Sequence, residues 1–404
     1  MRQESVALFQ PDRHEPLTAT AWDESAARAA IARIVEEVHS AYRGETGLWP
    51  IHPIDVSPER ANPLKLVYYG AAGVIWTLHH LHGSGLAEVG RDYAPVFDTL
   101  LANHRRDALQ LGPNLTGDAG ILLMHWKLAP SERAARDLHE VIQSNMEHPA
   151  LGFVAGGAGT MLNALFMFEQ TGDGRWRDLY LSSFEALWRR WKYDEETCCH
   201  LWTMELHGHR ARHIGGLHGL AGIVACMLRG RALLTPQRHE ELVRRAREAM
   251  SVLAVRDGCH ANWPLAVGNV PHPHWRTPLL QHCWGAPGYV NCLAGLCGHP
   301  ETDALLRAAG ELIWHAGPVT KLPSLCHGVP GSGYAFLKLF TCTGDAMWLD
   351  RARAFAMHGI EQGERFERQY GQRKFSLWTG DLGLAVFLGD CIQGRSNFPT
   401  LDVF

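Results

Sequence analysis

The sequence predicts an all-α protein: a closed ring in which seven inner helices form a barrel and seven outer helices wrap it. Three observations carry this. First, a G-x-x-G pair followed by an apolar run occurs seven times, with first glycines Gly70, Gly117, Gly156, Gly219, Gly285, Gly328 and Gly380. The intervals between them are 47, 39, 63, 66, 43 and 52 residues, the self-similarity of a repeat architecture rather than of three separate domains. Second, amphipathic segments lie between the apolar runs. Third, the last run (Leu382, Leu384, Val386, Phe387) is as apolar as the middle ones, whereas an open solenoid needs a polar capping repeat.

The elements follow in order. Asp23–Ser40 places Ile31, Ile34, Val35 and Val38 at i, i+3, i+4 and i+7, the stripe of an outer helix. YYGAAGVIWTL and LTGDAGILLMHW open the first two inner helices, apolar on most faces and therefore buried. Ser131–Asn145, with Leu138, Val141 and Ile142, is again an outer stripe, and VAGGAGTMLNALF and LHGLAGIVACML are inner helices three and four. Gln237–Val255 carries Leu242, Ala246, Ala249, Met250 and Leu253, with Thr235-Pro236 as cap and first-turn proline. CWGAPGYVNCL, the outer segment Glu301–His315 (Leu305, Ala309, Leu312, Ile313), CHGVPGSGYAFL and WTGDLGLAVFL complete the set. No sustained strand alternation is found. Each glycine pair sits where the chain turns into an inner helix, so it serves positive φ, close backbone approach or both. If all inner helices run the same way, the seven turns meet at one end of the barrel, where free N–H groups favour anions and lower thiol pKa.

Composition bounds the rest. The 404 residues are 46% hydrophobic and 20% charged, with a formal net charge of −4, which excludes a disordered chain and argues against a nucleic-acid partner. No apolar run reaches the ~18 residues of a membrane span. The first residues hold Arg2, Glu4, Asp12 and Arg13 and no long apolar stretch, so a soluble cytoplasmic protein is expected, one domain over residues 1–404 with an extension over 1–20. The ten cysteines all follow residue 197 and are expected as reduced thiols.

Only three turns carry reactive side chains. Cys283 lies two residues before Gly285, Cys326 and His327 directly precede Gly328, and His218 directly precedes Gly219. Gathered at one rim, Cys283, Cys326 and His327 form two thiolates and one imidazole, a donor set that suits zinc and leaves a fourth position open. A substrate thiol there would lose its proton near neutral pH and become the nucleophile. His200, His207, His209, His213, His272 and His274 share no such register and read as loop, packing or cleft residues. Cys198, Cys199, Cys292 and Cys297 read as structural.

These motifs resemble the lanthionine synthetase C-like family over nearly the whole chain, from about residue 20 to Phe404. The core of the resemblance is HGLAG (His218–Gly222), C-x-G-x-P-G (Cys283–Gly288) and CHG-x-x-G (Cys326–Gly331). GDAG (Gly117–Gly120), Asn262-Trp263-Pro264, Tyr334–Leu337 and the tail with Phe375-Ser376-Leu377 and Asn397-Phe398-Pro399 resemble its non-cyclase branch. The resemblance implies an α/α toroid (double barrel) of seven inner and seven outer helices holding one zinc on Cys283, Cys326 and His327. It implies an acid–base role for His218 and a contact of Lys321 with glutathione. Departures fall next to the ligands. His282 stands where the family usually has Trp, and Trp284 where cyclases carry Tyr and the non-cyclase branch His. Leu151 and Gly152 replace a cyclase acidic residue, and Leu279 replaces a cyclase Arg.

The expected activity is thioether formation: a thiol, glutathione by resemblance, adds to dehydroalanine or dehydrobutyrine in a peptide or protein. His218, or alternatively His282, supplies the proton. Lys321 holds a carboxylate of the thiol substrate, with Arg373 a second candidate on charge alone. The alternatives are a lanthipeptide cyclase using a peptide cysteine, a zinc-dependent protein prenyltransferase-like toroid, and a non-catalytic glutathione-binding scaffold.

Overall fold

The computed structural model describes residues 7–58, 62–107, 112–206, 208–270 and 272–404. Outer and inner helices alternate along the chain. The outer set is α1 (Glu24–Ser40), α4 (Ala94–Arg106), α6 (Glu132–Ser144), α8 (Gly174–Arg190), α10 (Pro236–Val252), α12 (Pro300–Ala316) and α14 (Ala346–Tyr370); a one-turn helix, α2 (Gly44–Gly47), follows α1. The inner set is α3 (Ala71–Gly83), α5 (Asp118–Leu128), α7 (Gly157–Thr171), α9 (Leu220–Arg229), α11 (Ala286–Leu293), α13 (Val329–Thr343) and α15 (Asp381–Gln393). Each inner helix packs on the next, α3 on α5 through to α13 on α15, and α15 packs back on α3, so the ring is closed. The fold is the predicted α/α toroid of seven inner and seven outer helices.

The outer stripes are buried as their spacing requires: Ile31, Ile34, Val35 and Val38 on α1, and Leu242, Ala246, Ala249 and Met250 on α10. Thr235 caps α10 by accepting from the Arg238 N–H, with Pro236 in the first turn. Inner helices are buried on nearly every face; in α15 all residues from Asp381 to Cys391 are buried.

Among the described residues seven short strands were not foreseen: β1 (Lys192–Asp194), β2 (Cys199–Leu201), β3 (Met204–Leu206), β4 (His209–His213), β5 (Val255–Asp257), β6 (His260–Asn262) and β7 (Ala266–Val267). They pair antiparallel as β1-β2, β3-β4-β7 and β5-β6. They fill the two longest glycine intervals, and at two to five residues each they are too short to show alternation. The cysteine expectation also changes: Cys297 and Cys342 are joined in a disulfide across 45 residues, a separation at which no spacing motif reveals the partner. Residues 7–20 lie against the ring, where Glu15 takes Gln362 Nε2 at 2.9 Å and pairs with His358 and Arg365. Among the described residues no helix is long and apolar enough to cross a membrane.

The turns into the inner helices are tied together by their backbones. Going round the ring, the N–H of Tyr68 donates to Leu115, Leu115 to Val154, Val154 to Leu217, Leu217 to Cys283, Cys283 to Cys326, and Cys326 to Trp378, at 2.9 to 3.5 Å. The Ser376 hydroxyl closes the belt on the Tyr68 carbonyl at 3.0 Å. Every belt residue stands two before the first glycine of its repeat. The glycines allow this mainly by close approach: a Cβ on Gly331 would lie 2.0 Å from the Leu325 carbonyl oxygen. Positive φ, expected as a possible reason for all the turns, occurs among the first glycines at Gly285 alone (φ +108), where a Cβ would also lie 1.8 Å from the Leu279 oxygen. The other first glycines have extended φ between −119 and −158.

Near the far end of α15, Asp390 is buried and accepts the Tyr334 hydroxyl at 2.8 Å. Burial pushes its carboxyl up to about 7. The folded state therefore holds this proton more tightly than the unfolded chain, whose carboxyl titrates near ~3.9. The stability it confers is complete below that pH and is lost as pH rises through about 7. Asp390→Asn is expected to flatten the fall in stability between pH 5 and 8, gaining on the order of a few kcal/mol at the alkaline end. Denaturant melts across that range check this.

Candidate metal centre

Cys283 and Cys326 hold successive belt positions, so one backbone hydrogen bond of 3.0 Å links them directly. That places the two thiols side by side, and His327 follows in the same turn. One ligand atom from each of Cys283, Cys326 and His327 lies within 4.8 Å of the other two. Among the described residues this is the one group of three such ligands gathered so closely. Both cysteines are buried, at 5% and 4% exposure, and His327 is half-buried.

The two thiols are unequal. Burial opposes ionisation of Cys326, but hydrogen bonds from Cys283, His327 and Tyr68, with the charge of His327, hold it well below the usual thiol range. Cys283 is pushed well above that range by burial and by its neighbour Cys326, with Lys321 pulling the other way. One sulfur thus ionises at the expense of the other, and a second thiolate needs a cation. A divalent metal would supply it. Two thiols and one imidazole within 4.8 Å of one another have the donor chemistry that zinc takes, and its bonds of about 2.3 Å to sulfur and about 2.0 Å to nitrogen would draw them to less than about 4 Å apart.

The other sequence candidates separate. His218 follows the belt residue Leu217, whose N–H reaches the Cys283 carbonyl at 3.5 Å. Its half-buried ring lies 5.5 Å from the ring of Trp284, the residue after Cys283. Lys321 is half-buried and near enough for its charge to act on Cys283. His282 lies elsewhere, although it is the direct neighbour of a ligand. Its ring is fully buried, stacks on Phe398 at 4.3 Å, and takes the Asn291 amide at Nδ1, 3.1 Å away. Burial and Lys338 push its pKa down to about 3, so the ring is neutral and cannot serve as an imidazolium donor at neutral pH. Arg373 is likewise committed. It is 2% exposed and enclosed by Glu37 at 3.0 Å, Glu367 at 2.6 Å and Asp381 at 3.1 Å, which ties α1, α14 and α15 together.

Among the remaining histidines, His209 and His272 face each other with Nε2 atoms 3.3 Å apart, and His213 lies 5.6 Å from Trp284. His207 and the side chain of His274 lie outside the described residues. One residue of the centre escaped the sequence reading. The Tyr68 hydroxyl donates to Cys326 Sγ at 2.9 Å. The available signal was its place two before Gly70, the register that both cysteines share.

The sequence profile described as "Lanthionine synthetase C-like protein" matches residues 67–403. The chain belongs to this family. It is 31% identical over 234 residues to "Glutathione S-transferase LANCL1" of Danio rerio, covering 56% of this chain and 53% of that protein. It is 32% identical over 261 residues to "LanC-like protein GCL1" of Arabidopsis thaliana, covering 61% and 57%. The chain therefore spans rather more than half the length of these relatives. Among solved structures, nisin cyclase aligns over 93% of this chain and 98% of its own with a TM-score of 0.56; at 13% identity that likeness is one of fold. The lanthionine synthetase C-like motifs and the donor set thus coincide on one rim of the ring.

Metal analysis of the purified protein is expected to find one zinc per chain. Cys283→Ala and Cys326→Ala should each lower zinc affinity by well over tenfold while leaving the helical circular-dichroism signal intact.

Proposed function

We propose that this protein is a zinc-dependent thioether-forming enzyme that adds a thiol, glutathione by preference, to dehydroalanine or dehydrobutyrine in a peptide or protein. The observation that carries the proposal is the gathering of Cys283, Cys326 and His327 at the turn rim. Such a set would hold one zinc and leave a position free. Zinc there would supply the positive charge that lowers the pKa of an entering thiol.

The chain's own groups do the rest. Lys321, whose charge already reaches Cys283, binds a carboxylate of the thiol substrate and fixes its approach. The sulfur attacks the β-carbon of the dehydro residue, the C=C electron pair moves to the α-carbon and carbonyl, and the α-carbon takes a proton. His218 supplies that proton, since it flanks the belt beside Cys283 whereas His282 is sealed in the barrel. Trp284, partly buried beside His218, forms an apolar wall that excludes water from the acceptor. The name of the Danio rerio relative, a glutathione S-transferase, supports glutathione as the thiol. Addition to a separate thiol is favoured over peptide cyclisation by Leu151 and Leu279, which stand where cyclases of the family carry an acid and an Arg.

Mass spectrometry of a dehydrobutyrine peptide incubated with protein, zinc and glutathione tests this. An adduct equal to the sum of the two masses is expected, and His218→Asn should slow its formation by ~10²–10⁴-fold while keeping zinc. Glutathione binding with no adduct from the zinc-loaded protein would make it a binding scaffold instead.

A further inference from the structure

Tyr68 belongs to the first repeat and Cys326 to the sixth, 258 residues apart, yet the phenol oxygen lies 2.9 Å from the sulfur. The placement is firmly held. The Tyr68 N–H and carbonyl are both engaged in the belt, to Leu115 and from Ser376. Its ring stacks on Trp378 at 5.7 Å and 18°, and meets Tyr69 edge-on at 4.7 Å. It is 8% exposed. A phenol so confined keeps its hydroxyl on the sulfur, which has lone pairs for both a metal and a hydrogen bond.

The proposed reaction poses a problem of choice among nucleophiles. Two protein thiolates and a substrate thiolate would share one centre, and each is able to attack a dehydroamino acid. A hydrogen bond to a ligand sulfur withdraws electron density from it and fixes its orientation. We infer that Tyr68 is a positioning residue: its hydroxyl hydrogen-bonds the Cys326 sulfur in the metal-loaded centre, making that ligand the poorer electron donor and leaving the entering thiolate the better nucleophile. The structural half of this inference stands on the contact alone; the consequence for reactivity rests on the function proposed above.

The test is optical and uses the full chain loaded with cobalt(II) in place of zinc, with neither thiol nor acceptor present. A hydrogen bond lowers the sulfur donor orbital, so its removal moves the thiolate-to-cobalt charge-transfer band to lower energy. Tyr68→Phe, which keeps the ring packing, is expected to show that red shift with a loss of metal affinity of about tenfold. Replacing Tyr68 by 3-fluorotyrosine, a stronger donor of similar size, should shift the band the opposite way. A merely structural role would weaken binding and leave the band energy alone. Unchanged band energies in both variants would overturn the role of Tyr68 and leave thiol addition standing. Shifted bands in a protein that forms no adduct would leave Tyr68 standing and overturn thiol addition.

Discussion

Six backbone hydrogen bonds from Tyr68 round to Trp378, closed by Ser376, hold the seven turns in register, and the proposed chemistry depends on them. Adjacent turns can bond only if their backbones come close, and a Cβ at Gly331 or Gly285 would occupy the space of a carbonyl oxygen. The repeated glycine pair is thus a condition for closing the belt. Closure in turn makes residues from remote repeats neighbours. It puts Cys283 beside Cys326 through one hydrogen bond, and Tyr68 on the Cys326 sulfur from the opposite end of the chain.

A belt of this kind separates scaffold from function. Leu115, Val154 and Leu217 hold equivalent positions as buried apolar side chains, so nothing in the architecture demands cysteine. The hydrogen bond between Cys283 and Cys326 favours ionisation of Cys326, whose thiolate in turn holds Cys283 protonated, so two buried thiolates here would repel each other. Such an arrangement is costly unless a cation joins it. Inner and outer layers are tied together: the carboxylates of Glu37 on α1, Glu367 on α14 and Asp381 on α15 enclose Arg373 where the last repeat meets the first.

What was legible in the sequence was what repeats. Seven glycine pairs announced the ring, and two cysteines in one register with an adjacent histidine marked the three side chains that gather at its rim. Tyr68 shares that register but escaped because the residue directly before Gly70 is another tyrosine, Tyr69, and a phenol is no metal ligand by habit. His282 misled because adjacency in sequence says nothing about which side of a turn a ring takes; this one packs inward on Phe398. Arg373 gave no sign of its burial because its three carboxylate partners come from different helices. The short strands and the Cys297–Cys342 disulfide lacked any local pattern at all.

The central claim is that the belt brings two cysteines and one histidine onto a single metal with room for a thiol. X-ray absorption at the zinc edge reads this directly. The account predicts two sulfurs at about 2.3 Å with nitrogen or oxygen near about 2.0 Å in the resting protein, and a third sulfur at the same distance once glutathione is added. A shell of nitrogen and oxygen alone, or a sulfur count that glutathione leaves unchanged, would contradict it.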